Sequence, residues 1–302
     1  MIWSAPAERS VDGALDCGSC ESLDPKRCRA ALATALQIGL GFLAMNLKRA
    51  CFAALSVSLL LGLSCQPKPK RNRLDENHFP RIVLWAWERP EDLKTVDVNR
   101  FAVAFLAQTL ILKGEDVIFN PRHQPLDVSP ETKLMAVTRI ESQKQTGQPA
   151  ALNDAQKQKA ISLILRTPEL RNVSAIQIDF DATSSEREFY RGLLQDLRAK
   201  LPDNMPLSMT ALASFCVGDR WLDDLPVDEA VPMIFRMGAD DRTIKNLLAT
   251  GEDFREPFCQ RSYGIAVDEP LDLKFKPERR VYVFNDRSWS AADLYSISER
   301  IK

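Results

Sequence analysis

The sequence lacks the residues and motifs on which several large classes of protein depend. It contains only two histidines, His78 and His123, and neither has the neighbours that a metal cluster or a Ser-His-Asp triad requires. No glycine-rich phosphate loop is present, which argues against a nucleotide-binding site. The 40 basic and 41 acidic residues nearly balance, whereas nucleic-acid binding usually requires a concentrated basic face. We therefore expect no metal, no cofactor and no nucleic-acid partner.

Residues 45–65 have the pattern of an export signal. A short basic start at 45–49 precedes an uncharged run at 50–64 that is rich in Leu and Ala. This run is short for a membrane span but fits the apolar part of a secretory signal. The small residues Gly62 and Ser64 precede Cys65, and the pattern resembles a bacterial lipobox, whose cysteine is diacylated after cleavage. We predict a signal peptide over 45–64 and lipidation of Cys65; the alternative is a plain secretory signal.

The segments around this signal divide the rest of the chain. Residues 1–44 are interpreted as sequence upstream of the true start at Met45; the alternative is two membrane segments separated by Lys48 and Arg49. Residues 65–80 are rich in proline and basic residues and are predicted to form a flexible tether. Residues 81–302 then form one folded domain. We expect a lipoprotein held by its lipid in the outer membrane, on the periplasmic face of a bacterial envelope.

The mature chain predicted in this way holds three cysteines, Cys65, Cys216 and Cys259. An odd number of cysteines in an exported protein requires an explanation. Lipidation of Cys65 removes one and leaves a pair. Because export leads to an oxidising compartment, we predict a disulfide between Cys216 and Cys259. The alternative is two buried free thiols.

Short apolar or alternating segments, most of them bounded by Pro, Asp or Gly, recur through residues 81–302 and predict eight strands. They are Arg81–Trp87, Ala102–Ala107, Lys133–Ile140, Ala175–Asp181, Pro206–Ala213, Ala230–Arg236, Ser262–Val267 and Arg280–Asn285. Helical patterns fall between many of them, and this alternation predicts a parallel sheet. We therefore predict a small α/β barrel of the (β/α)₈ type, irregular at residues 109–130, where no helix is clear. The alternative is an open doubly wound sheet.

The helices are predicted from apolar spacing and from capping residues. Ser185 and Glu188 have the spacing of a capping box, and an apolar stripe at helical spacing follows them. The other predicted helices cover residues 154–166, 241–250 and 290–301.

The most informative segment is the predicted strand that ends at Asp181. Alternation places Gln177, Asp179 and Asp181 on one face, toward the barrel axis, and the apolar residues between them on the other. Acids at the carboxyl end of a barrel strand lie where active sites form, and two neighbouring carboxylates can raise the pKa of one of them. We predict Asp181 and Asp179 as the catalytic pair; the alternative is that they order the loop and cap the next helix.

The same strand carries a resemblance. Its sequence Gln-Ile-Asp-Phe-Asp, from Gln177 to Asp181, resembles the Asp-Ile-Asp-Trp-Glu strand of the chitinase-like hydrolases of glycoside hydrolase family eighteen. The resemblance implies that Asp181 takes the place of the general acid and Asp179 that of its supporting carboxylate. This sequence departs from the pattern at two positions, because Gln177 replaces an Asp and Asp181 replaces a Glu.

Five further segments resemble a bacterial family catalogued as domain of unknown function number 3142. They are Trp85–Leu93, Ala211–Cys216, Gly218–Trp221, Val227–Gly238 and Asp268–Pro270. This resemblance covers most of the folded domain and implies an exported or lipoprotein context. It implies no particular activity.

Further polar and aromatic residues lie at the predicted strand ends and complete the candidate site. The candidates for substrate binding are Gln177, Glu88, Trp87, Arg139, Arg236, Asp268, Asn285 and Asp286. Because the carboxyl ends of barrel strands meet at one rim, we expect these residues to lie around it. Asp228 and Glu229 precede their strand and are predicted at the opposite, stabilising end.

Two functions are consistent with these features. The first is that of a glycoside-hydrolase-like enzyme that acts on an envelope polysaccharide through its paired carboxylates. The second is that of a non-catalytic envelope lipoprotein that binds a glycan or an assembly partner.

Overall fold

The computed structural model describes residues 71–144, 147–269, 271 and 273–301. Its strands are β1 (Ile82–Ala86), β2 (Glu91–Leu93), β3 (Phe101–Lys113), β4 (Asp116–Pro121), β5 (Leu126–Val128), β6 (Leu134–Ser142), β7 (Val173–Asp179), β8 (Leu207–Leu212), β9 (Glu229–Met233), β10 (Ser262–Ala266) and β11 (Arg280–Phe284). Its α-helices are α1 (Arg73–Glu76), α2 (Asp154–Ile164), α3 (Arg187–Lys200), α4 (Asp241–Ala249) and α5 (Ala291–Arg300).

Eight of these strands run parallel and close into a barrel. Their order is β1, β3, β6, β7, β8, β9, β10 and β11, and the ring closes because β1 pairs with β11 as well as with β3. Ile82 is thus the register partner of both Phe101 and Val281. The closed ring confirms the predicted (β/α)₈ type of barrel and excludes the open sheet. Each of the eight predicted strands corresponds to one barrel strand.

The barrel strands bury both of their faces, because one face lines the barrel interior and the other packs against the outer layer. Alternation along β1 illustrates this arrangement: Val83 and Trp85 belong to the interior cluster, whereas Leu84 belongs to the cluster outside the barrel. Along β7, Ile176 and Ile178 pack in the outer cluster, as the alternation of that strand predicts.

The outer layer contains fewer helices than a regular barrel of this type. Within the described residues, α-helices follow only β6, β7, β9 and β11. At residues 109–130, where the sequence shows no clear helix, β3 extends to Lys113 and turns at Gly114 into antiparallel β4. Gly114 adopts a φ of +51°, which glycine accepts without a steric penalty. No helix in the described part of the chain is long and apolar enough to cross a membrane.

The start of α3 differs in detail from its prediction. The capping box is formed by Thr183 and Glu186, two residues before the predicted pair Ser185 and Glu188. The Glu186 carboxylate accepts hydrogen bonds from the backbone N–H and the hydroxyl of Thr183, both at 2.7 Å. Both pairs have the same spacing, and the 3₁₀ turn that precedes α3 selects the earlier one.

The amino-terminal end of the barrel is closed by α1. Leu74 and Phe79 are buried in the interior cluster, and the Arg73 guanidinium pairs with Asp228 at 3.1 Å. The backbone N–H of Leu207 also donates to Asp228, at 2.8 Å. Residues 73–79, which the sequence analysis placed in a tether, therefore pack against the barrel as part of the folded domain.

Above α1, a buried polar network fills the lower part of the barrel interior. The fully buried Glu229 pairs with Arg280 at 3.1 Å and accepts a hydrogen bond from the Tyr282 hydroxyl. Arg280 reaches down to Asp75 of α1 at 2.7 Å. Burial raises the pKa of Glu229 while Arg280 opposes that shift. Asp228 and Glu229 thus lie at the stabilising end of the barrel, as predicted.

The predicted disulfide between Cys216 and Cys259 is present. Its Cα atoms are 5.9 Å apart and both residues are buried in the outer cluster. Cys216 lies in the 3₁₀ turn after β8, and Cys259 in the turn that precedes β10. The bridge therefore ties together the two connections that flank β9.

We expect reduction of this disulfide to lower the free energy of unfolding by about 4 kcal/mol, because the bridge restricts a long loop of the unfolded chain. Urea unfolding with and without dithiothreitol measures this loss. The double substitution of Cys216 and Cys259 by Ala is the matched control. Its unfolding midpoint should be insensitive to the reductant and should lie near that of the reduced protein. A midpoint of the unsubstituted protein that does not move on reduction would contradict the expectation.

Candidate functional site

A cavity of about 320 Å³ opens at the carboxyl ends of the barrel strands. Its lining comes from the ends of β1, β7, β8, β9 and β11 and from the residues that follow three of them. Active sites of barrels of this type form at this end, because the loops are free to vary there while the strands hold them in place. This cavity is therefore the candidate site.

Four aromatic side chains form much of the cavity wall: Trp85, Trp87, Phe235 and Phe284. The rings of Phe235 and Phe284 are stacked, with centroids 5.6 Å apart and planes 8° apart. Trp87 meets Phe284 edge-on at 6.2 Å, and Trp85 lies 6.2 Å from Phe235. The wall thus presents broad, rigid apolar faces to the cavity.

Beneath the cavity, Gln177 is fully buried and holds one of these rings in place. Its side-chain oxygen accepts a hydrogen bond from Trp85 Nε1 at 2.9 Å, and its amide nitrogen donates to Ser208 Oγ at 3.0 Å. Gln177 is not among the lining residues. The structure therefore places Gln177 in contact with Trp85 and Ser208, and its contact with a substrate stays a prediction.

Asp179 lies at the floor of the cavity and is almost completely buried. One carboxylate oxygen accepts a hydrogen bond from Thr210 Oγ1 at 2.7 Å, and the other is 3.1 Å from Arg139 Nη1. Arg139 also pairs with Glu141 at 2.8 Å. Asp179 therefore has a fixed orientation and a compensated charge. Arg139, predicted to bind substrate, contacts this acid and is not among the lining residues.

Asp181 follows β7 by two residues and has a different environment. Its Oδ1 atom is buried and accepts no hydrogen bond from the described residues. Burial, together with the negative charge of Asp179, raises the pKa of Asp181 to about 7, while the charges of Arg139 and Lys144 oppose this rise. Asp181 is not among the residues that line the cavity. Asp181, two residues after Asp179 in the sequence, is therefore an acid that holds its proton more tightly than an ordinary Asp does.

Arg236 is fixed at the cavity by its own backbone and by two acids. It has a φ of +52°, a conformation uncommon for a residue with a side chain. Its guanidinium pairs with Asp268 at 2.8 Å, and its backbone N–H donates to Glu269 at 3.1 Å. The guanidinium also lies 5.2 Å from the centroid of the Phe284 ring. Asp268 thus holds the Arg236 guanidinium and does not itself line the cavity.

The remaining predicted residues are distributed around the same rim. Asp286 is exposed and lines the cavity, whereas Glu88 is exposed in the turn after β1. Asn285 is buried, donates to Asp293 at 3.4 Å and accepts from the Arg287 backbone at 3.3 Å. Asn285 therefore belongs to the turn before α5. The described residues contain no group of three or more His, Cys, Asp or Glu that could hold a metal ion.

Sequence reasoning missed several of the residues that line the cavity: Arg89, Thr210, Met233, Phe235 and Phe284. Phe235 and Phe284 lie at the ends of predicted apolar strands, where a phenylalanine resembles any core residue. Their position at a strand end could have identified them as cavity residues, because the last inward-facing residue of a barrel strand borders the mouth of the barrel.

Several solved structures are similar to this chain. A putative Chitinase A from Streptomyces coelicolor is 12% identical, with 74% of this chain and 97% of that chain covered and a TM-score of 0.46. The catalytic domain of a family GH18 chitinase from the fern Peteris ryukyuensis is 12% identical, with 73% and 96% covered and a TM-score of 0.42.

The spore cortex-lytic enzyme SleL of Bacillus cereus is 19% identical over 62% of this chain, with a TM-score of 0.40. This chain spans about half of the length of that enzyme, 51%. No curated protein matches the sequence.

The central part of the barrel matches a known protein family. The match extends over residues 131–231, which include β6, β7, β8 and the first residues of β9. Asp179, Asp181 and Thr210 therefore all lie within it. These residues match the family described as Domain of unknown function (DUF3142), which confirms the resemblance inferred from the sequence.

Proposed function

We propose that the cavity binds a segment of a polysaccharide. The observation that carries this proposal is the aromatic wall of Trp85, Trp87, Phe235 and Phe284 at the mouth of the barrel. Sugar rings present apolar C–H faces that pack on aromatic rings, and hydroxyl groups that hydrogen-bond to charged side chains. The cavity combines both kinds of surface, since Asp179, Thr210 and Arg236 lie among the rings.

We further propose that Asp181 acts as a general acid in hydrolysis of the bound glycan. A general acid is most effective when its pKa lies near the working pH, and the pKa of Asp181 is raised to about 7. Its buried Oδ1 atom accepts no hydrogen bond from the described residues, so no donor at that atom stabilises the charged form. Burial is the main cause of this raised pKa, and the charge of Asp179, which is held by Thr210 and Arg139, adds to it.

A second candidate function is binding without catalysis. It is favoured by the closed ion pair between Asp179 and Arg139, which satisfies the deeper acid, and by the absence of Asp181 from the cavity lining of the described residues. Under this alternative Asp181 orders the loop between β7 and α3. Neutralisation of Asp181 should lower the turnover of the glycan if the protein is catalytic. It should have no effect on turnover if the protein only binds.

We also propose that the protein is exported and anchored by a lipid on Cys65. The disulfide between Cys216 and Cys259 supports export, because such bonds persist in oxidising compartments. The predicted signal at 45–64 and Cys65 lie outside the described residues, so this proposal depends on their sequence.

Membrane-extracted protein should begin at Cys65 and carry a diacylglyceryl group, because the sequence 45–65 resembles a lipobox signal. Intact-mass spectrometry of the detergent-solubilised protein measures both features. The Cys65→Ala variant is the control and should lack the added mass. Peptides from residues 1–44 in mature protein would contradict the cleavage, and an unmodified Cys65 would contradict the lipid alone.

The Trp87→Ala variant should bind its glycan about tenfold or more weakly, because it removes one face of the aromatic wall. A glycan array identifies the ligand, and isothermal titration then measures its affinity. Tyr295, an exposed aromatic residue of α5, provides the matched control as Tyr295→Ala. Unchanged affinity in the Trp87 variant would place the binding surface elsewhere.

The Asp181→Asn variant tests catalysis and stability together. Turnover of the bound glycan should fall by about 10²–10⁴, the usual contribution of a general acid. The folded-state pKa of Asp181 is raised from 3.8 to about 7, so its stabilising contribution is complete below pH 3.8 and is lost as the pH rises through 7. Because Asn stays neutral, the variant should be more stable than the unsubstituted protein at pH 8 and nearly equal to it at pH 4.

Urea unfolding at these two pH values and a reducing-end assay provide the measurements. Glu278→Gln, which neutralises an exposed acid before β11, is the control and should show no such pH-dependent gain. A variant that is less stable at both pH values, with turnover unchanged or absent in both proteins, would favour the non-catalytic function.

A further inference from the structure

The charged side chains that line the cavity differ in how far the protein itself neutralises them. Asp179 is paired with Arg139, and Arg236 is paired with Asp268. Arg89, half-buried in the cavity lining, forms no ion pair and no side-chain hydrogen bond with the described residues. An arginine that faces a cavity without an internal partner is available to an anionic ligand.

The acids near Arg89 do not neutralise it by direct contact. Glu91 is buried, and its carboxylate accepts a hydrogen bond from the backbone N–H of Trp289 at 2.9 Å. Asp286 also lines the cavity and forms no ion pair with the described residues. It is exposed on the loop after β11. No ion pair joins Asp286 or Glu88 to Arg89 in this part of the chain.

Next to Arg89, a second arginine holds the loop in place. The Arg122 guanidinium donates hydrogen bonds to the backbone carbonyls of Ala86 at 3.3 Å and Arg89 at 2.6 Å, and to that of Trp87. Burial lowers the pKa of Arg122, and the charge of Arg89 adds to this effect. Because one guanidinium donates to carbonyls at the end of β1 and in the loop after it, Trp87 and Arg89 are held in position before any ligand arrives.

We propose that Arg89 recognises an anionic group on the glycan, so that the preferred ligand is an acidic saccharide whose neighbouring ring packs against Trp87. This inference rests on the proposed binding function and specifies its substrate class. The planar guanidinium forms two parallel hydrogen bonds with a carboxylate or with a phosphate. Arg122 is a positioning residue in this arrangement, since it contacts the loop carbonyls and not the cavity.

Three oligosaccharide probes of equal length test the proposal: one neutral, one containing a uronic acid and one carrying a phosphate. Isothermal titration measures their affinities for the full chain and for Arg89→Gln. We expect at least one acidic probe to bind the unsubstituted protein about 10- to 100-fold more tightly than the neutral probe, as a charge-assisted hydrogen-bond pair implies. Arg89→Gln should remove this preference, because it should weaken binding of the acidic probe far more than binding of the neutral probe.

Two further variants separate the role of Arg89 from effects on folding. Arg89→Lys keeps the charge but loses the paired donors, so it should retain only part of the preference. Arg255→Gln, which neutralises an exposed arginine outside the cavity lining, should keep the full preference. Arg122→Lys should weaken the neutral and the acidic probes together, because it releases the loop that carries Trp87.

The outcomes distinguish the failure of this inference from the failure of the proposed function. If the unsubstituted protein binds the neutral and acidic probes equally, and Arg89→Gln changes neither, the inference is wrong while glycan binding stands. If none of the probes and no glycan on an array binds, the proposed function itself is wrong. A preference for the phosphate over the uronic acid, or the reverse, identifies which anionic group Arg89 receives.

Discussion

Closure of the barrel is the constraint on which the rest of the structure depends. Because β1 pairs with both β3 and β11, strands that are distant along the chain are forced to end at the same rim. The cavity forms because β1, β7, β8, β9 and β11 all deliver inward-facing residues to that rim. Closure also leaves the barrel strands without a free edge. It encloses one face of every strand as well, and inward-facing side chains must fill that interior.

The side chains inside the barrel stabilise the fold at its lower end and border the cavity at its upper end. At the lower end, Glu229 and Arg280 compensate each other's charge, and Ser208 connects them upward at 3.5 Å. Gln177 continues the chain of hydrogen bonds from Ser208 to Trp85, whose ring borders the cavity. A buried polar network is stable when all its members are satisfied, and it then fixes a single arrangement. The site is therefore supported from beneath by buried groups that do not line the cavity.

Much of this architecture could be predicted from the sequence, because it depends on local patterns. The eight apolar segments and the alternation around Asp179 are properties of short stretches of chain. Contacts between distant segments could not be predicted in this way. The hydrogen bond from Trp85 to Gln177 joins residues 92 positions apart, and Arg122 acts on carbonyls more than thirty positions earlier. The closing role of α1 was missed for the same reason, since Leu74 lies in a short polar segment and gains its burial only from the assembled barrel.

The closed lower end has a practical consequence for handling the protein. The chain enters the described domain through α1 beneath the barrel, and α5 returns to the same end, where Arg100 donates to the carbonyl of Ser298 at 3.1 Å. A fusion partner, a fluorophore or an immobilising tag joined before residue 71 or after residue 301 therefore starts on the side away from the cavity. Attachment to a sensor chip at residue 71 or at residue 301 therefore leaves the mouth of the barrel on the side away from the chip.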